Sequence, residues 1–101
     1  MIMHIVMFQL QDHAEGRSKQ ENIKIALDIA SGFLKEIPTL KSFRIETDIP
    51  GAPAGNDDLV LVCEFDDLEG LEAYRVHPLH VRFGDFMRLV RQKRSAIDYI
   101  K

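Results

Sequence analysis

The stretch that decides the fold is "LVLVCEF", Leu59–Phe65. Leu59, Leu61, Cys63 and Phe65 alternate with Val60 and Val62, so both faces of this run are apolar. Side chains of a strand point alternately to its two faces. A strand with two apolar faces belongs in the middle of a sheet, and something must cover each side.

Downstream, Asp66 with Glu69 has the spacing of a capping box and opens a short helix with Leu68, Leu71 and Tyr74 on one side. His77 and Pro78 interrupt it. Proline suits the first turn of a new helix, which is expected from Pro78 to about Arg94, with Val81, Phe83, Phe86, Met87 and Val90 apolar. "SAIDYI", Ser95–Ile100, then closes the chain as a strand.

Upstream, "PGAPAGNDD" is a loop by its Pro, Gly and Asn content. Before it, "LKSFRIETDI" alternates, with Phe43, Ile45 and Ile49 inward and Ser42, Arg44, Glu46 and Asp48 outward, as a half-exposed edge strand does. Pro38 ends a helix that Ser18 and Glu21 open by a second capping box. Its expected buried stripe is Ile23, Ala26, Leu27, Ala30, Phe33, Leu34 and Ile37. The polar turn "DHAEGR" separates it from a first strand, Ile2–Gln11, again apolar on both faces.

The order β-α-β-β-α-β predicts an α+β, ferredoxin-like domain over residues 1–101, with an antiparallel four-stranded sheet and both helices on one face. Two helices leave the other face bare, although Met3, Ile5 and Met7 make it apolar. A homodimer through that sheet face is therefore expected.

A net charge of -3 offers no general field for nucleic acid; "RLVRQKR", Arg88–Arg94, is assigned to the last turns of the second long helix, where cations complement the dipole. The single Cys63 excludes an internal disulfide and reads as a small hydrophobe. The opening strand lacks the marks of a signal peptide, and no run reaches membrane-spanning length, so no membrane partner and a cytoplasmic location are expected.

Five segments in this order, "HIVMFQL", "IPTL", "LVLVCEFDDLEGLEAY", "HPLH" and "IDY", resemble the stress-responsive A/B barrel (Dabb) family. The resemblance implies a dimeric α+β barrel. It fixes no reaction, since the family holds plant stress-induced proteins, bacterial members without an assigned role, and a plant cyclase that closes a linear polyketide into an aromatic ring.

Similarity to that cyclase is greatest in "HPLHVRFGDF", and it implies a catalytic His80 assisted by Tyr74, with His4 and His77 at substrate-binding positions. A further pocket tyrosine on the cyclase's first helix has no counterpart here, where the stripe offers Ala26, Leu27 and Ala30. A wider or differently shaped cavity is expected in consequence.

The residue types fit such a role. Histidine titrates near neutrality and can take a proton from a carbon acid, and a tyrosine hydroxyl can donate to an enolate oxygen. His80 is also placed where a helix's first turn would simply bond it to backbone, and His77, before Pro78, suits a cap. His4 lies in an apolar row and needs a partner or a cavity. His13, in a polar turn, takes no role.

His77 and His80 share a helix spacing but lack a third ligand, so no metal is expected, and no cofactor is implied. Asp66, Asp67 and Asp98 are assigned to caps and turns. Two functions stay open: a cofactor-independent acid/base enzyme acting on an apolar carbonyl substrate by aldol or enol chemistry, and a non-catalytic barrel holding a small apolar ligand. A cofactor-free oxygenase has no residue in its favour.

Overall fold

The computed structural model describes residues 1–101. Strand β1 (Ile2–Leu10) leads through a miniature hairpin, β2 (His13–Ala14) and β3 (Arg17–Ser18), into helices α1 (Lys19–Ala30) and α2 (Phe33–Glu36). Strands β4 (Ser42–Thr47) and β5 (Leu59–Phe65), helices α3 (Leu68–Val76) and α4 (Pro78–Val90), and strand β6 (Arg91–Ile100) follow. The four long strands form one antiparallel sheet in the order β4-β5-β1-β6. The two doubly apolar strands are the central ones, and β4 is an edge, as expected.

Ser18 caps α1 with Glu21 in a complete capping box, and those bonds hold the Glu21 carboxyl below its ordinary range. The helix does not run unbroken to Pro38. Ser31 turns its backbone N–H and its hydroxyl onto the Asp28 carbonyl, the chain breaks at Gly32, and α2 restarts at Phe33. The break rotates the expected stripe: Phe33 and Ile37 stay buried, Ile29 joins them, and Leu34 becomes exposed.

Other boundaries move for local reasons. Asp67, not Asp66, caps α3 by accepting from the Gly70 N–H at 2.8 Å, which leaves Leu68 exposed while Leu71 and Tyr74 remain buried. Val81 on α4 and Ile49 beyond β4 are exposed too.

The largest correction concerns Arg88–Arg94. Helix α4 ends at Val90, and Arg91 already has extended backbone. From there the chain pairs with β1 along its whole length, Ile2 opposite Ile100 and Leu10 opposite Arg91. Nine ladder pairs with a central strand outweigh the helical tendency of "RLVRQKR".

The core lies between the helices and one sheet face, where Val6, Phe8, Leu10, Leu61, Cys63 and Phe65 meet Ala26, Phe33, Tyr74, Phe83 and Met87. On the opposite face Ile5 sits between Val62 and Ile97, and Met3 between Glu64 and Tyr99. No helix covers this row, and Ile97, Tyr99 and Met7 are exposed on it. No helix is long and apolar enough to cross a membrane.

Candidate functional site

The site starts from one row of the sheet's helix-facing side. Strand register places Cys63, His4 and Asp98 side by side on β5, β1 and β6. His4 is buried and cannot leave its ring N–H unpaired at low cost. Its Nδ1 bonds the Asp98 carboxylate, which can only accept, so the proton sits on Nδ1. Asp98 is half exposed and brings water to the edge of the row.

Tyr74, in the last turn of α3, lies directly above this row and is almost wholly buried. Its ring stands edge-on to His4 with centroids 6.2 Å apart, and the Cys63 thiol donates to its hydroxyl oxygen across 3.7 Å. Burial pushes the Tyr74 hydroxyl well above its ordinary pKa and the Cys63 thiol up to about 11. Both keep their protons at neutral pH. Tyr74 is thus a donor, and Cys63 is no nucleophile.

The break between α3 and α4 brings in the second ring. His77 ends α3 and caps α4, its Nδ1 accepting from the Leu79 N–H at 3.1 Å, and Pro78 fills the first helical position. One turn on, His80 lies 4.4 Å from Tyr74, centroid to centroid. Its Nδ1 donates to the Arg75 carbonyl at 3.1 Å, because a carbonyl can only accept. The proton is therefore fixed on Nδ1, and Nε2 keeps its lone pair free. Burial lowers the His80 pKa, against the Arg75 bond, and the charges of His4, Arg75 and Arg94 lower it further. At neutral pH His80 is an uncharged imidazole, the form a general base requires.

His4, Tyr74 and His80 line one cavity of about 80 Å³, walled on its apolar side by Val6, Phe8 and Phe83. His77 is not in its wall. Nor are Ala26 and Ala30, so the small residues of α1 do not widen it. Phe33 packs behind the wall, fully buried, with its ring 5.8 Å from Tyr74, 6.1 Å from His80 and 5.5 Å from Phe83. Three residues of the site had other roles from sequence: Asp98, expected in a cap or turn, lies within β6 and bonds His4, and Arg91 and Arg94, expected at a helix end, line the cavity. Period-two alternation back from Asp98 would have placed Arg94 on its face.

The sequence profile described as the stress responsive A/B barrel domain matches residues 2–101. The chain belongs to the stress-responsive A/B barrel family. Among A/B barrel relatives, the olivetolic acid cyclase of Cannabis sativa is 26% identical over 100 residues, covering 97% of this chain and 94% of the cyclase. A ferredoxin-like protein of unknown function from Thermobifida fusca, described as dimeric, superposes with a TM-score of 0.85 at 26% identity, covering 99% of this chain and 90% of that one. A Dabb family protein of Mesorhizobium loti gives 0.76 at 29% identity, covering 99% and 95%. Fold and family are those the sequence predicted.

Proposed function

We propose that this A/B barrel is a cofactor-independent acid/base enzyme that enolises a carbonyl compound, with His80 as base and Tyr74 as hydrogen-bond donor. One observation carries the proposal: His80 and Tyr74 share a cavity, with His80 Nδ1 committed to the Arg75 carbonyl and Nε2 free. In this reading Nε2 takes a proton from the carbon next to the carbonyl. The C–H electron pair becomes the C=C bond of an enolate, and the Tyr74 O–H donates to the oxygen where the charge collects. The enolate carbon can then attack a second carbonyl of the same substrate, an aldol closure of the kind the relationship to olivetolic acid cyclase suggests.

His4, held by Asp98, lines the pocket and orients Tyr74 by ring contact; His77 takes the capping role. About 80 Å³ accommodates only the reacting end of a substrate, so the rest lies outside against the open side of β6. A homodimer through the bare sheet face completes the barrel, and the reduced, buried Cys63 fits a cytoplasmic protein.

The test is exchange of α-hydrogens of 2,4-pentanedione and longer β-diketones for deuterium, followed by proton NMR. Catalysed exchange that falls by two to four orders of magnitude, about what positioned base catalysis provides, in His80→Ala supports the enzyme. Ligand binding without exchange in the unmodified protein supports the non-catalytic ligand-binding barrel instead.

A further inference from the structure

Arginines 91 and 94 are three residues apart, an odd spacing that sends side chains to opposite faces of a regular strand. Here the register slips: Gln9 pairs with Lys93 and Leu10 with Arg91, so Gln92 is the extra residue of a bulge. Arg94 pairs with Phe8 and Arg91 with Leu10, and Phe8 and Leu10 both face the helices. The bulge therefore returns Arg91 to the face of Arg94. Both line the cavity that holds Tyr74 and His80.

Their charges are unspent. Arg75 and Arg88, the other cations of the wall, are tied to Glu72 at 2.6 Å and to Asp85 at 2.7 Å, and Lys93 on the outer row reaches Asp57. Arg91 and Arg94 have no carboxylate within 4.0 Å, and Asp98 on their own row is bonded to His4. An edge strand often carries cations to discourage pairing, but that role gives no reason for a bulge that turns half-buried Arg91 to the cavity face, beside titratable rings and the exposed Arg94.

We infer that Arg91 and Arg94 form an anion-binding mouth to the cavity, so that the substrate has an apolar or carbonyl end within and an oxyanion, a carboxylate or a phosphate ester, on the two guanidiniums. Guanidinium groups match either anion with paired N–H bonds. This rests on the acid/base site proposed above and replaces a purely apolar substrate with an amphiphilic one.

Binding of 5-oxooctanoate, its methyl ester, octyl phosphate and octanol is measured by calorimetry and amide chemical shifts on the unmodified protein, Arg91→Gln/Arg94→Gln and His80→Ala. The acid or the phosphate is expected to bind about tenfold tighter than its neutral analogue, a preference that salt weakens, and that the double arginine variant loses while His80→Ala keeps it. Whichever anion shows the preference identifies the headgroup. Equal binding of acid and ester, and of phosphate and alcohol, in the unmodified protein overturns the inference, as does a preference that survives in the folded double variant. Neither outcome touches the deuterium-exchange result, so loss of the anion mouth and loss of the base are separately visible.

Discussion

Tyr74 and His80 face each other across a helix break, their ring centroids 4.4 Å apart although Pro78 ends any continuity between the helices that carry them. In one unbroken helix, residues six apart lie well round the cylinder from each other and do not meet. The break at His77–Pro78 is what brings both rings to one cavity.

The acid limb of the enolisation rate follows from His80. Burial lowers its pKa from the ordinary 6.5, so kcat/KM should fall only as pH drops below that value. Stability shifts in the same direction. Below pH 6.5 the unfolded chain binds a proton at this ring that the folded chain resists, so stability falls as pH decreases toward the folded pKa and levels off beneath it. Chemical denaturation between pH 5 and 8 should show this slope, reduced in His80→Gln, and nitrogen NMR should find the neutral ring protonated at Nδ1. A slope unchanged by the substitution would refute the shift.

Asp98→Ala leaves the buried His4 N–H without its acceptor. The expected cost is about 1 to 3 kcal/mol, toward the low end because water reaches Asp98. Asp98→Asn, which can still accept, should recover most of it. If alanine and asparagine behave alike in urea melts, the hydrogen bond is not what places His4.

His77→Ala removes a cap and should cost about 1 kcal/mol while leaving exchange catalysis within a few-fold, since His77 is outside the cavity wall. His77→Asn keeps the capping chemistry and should restore stability. Catalysis lost from a stable His77→Asn would mean that this ring acts on substrate after all.

Ile97 stands beside Ile5 on the uncovered sheet face and is 61% exposed in the single chain. Ile97→Glu places a charge where the second sheet is proposed to pack, so light scattering should find a dimer for the unmodified chain and a monomer for the variant. A monomer in both would remove the proposed barrel.

Much of the fold was legible because each of its elements is patterned by neighbours within a turn or two. "LVLVCEF" announces a central strand through its two apolar faces, Ser18 with Glu21 marks a helix start, and Pro78 marks another. The resemblance to the A/B barrel family supplied His80, Tyr74 and His4, which share the cavity. Local pattern was weakest where a local preference competed with a distant partner. "RLVRQKR" has helical character, and only pairing with β1, some eighty residues away, makes most of it strand.

By itself, then, the sequence determined the order of the four long strands and the helices between them, the central strands, the capped starts of α1 and α4 and the need for a cover on the second sheet face. Burial and capping are consequences of short-range periodicity and chemistry, so they can be read in one dimension. Tertiary structure alone decided that Asp98 meets His4, that Phe33 fills the space beneath Tyr74 and His80, and that a bulge at Gln92 turns Arg91 beside Arg94. Each depends on strand register or on the angle of a helix break, and these are set by the fit of the whole sheet and core.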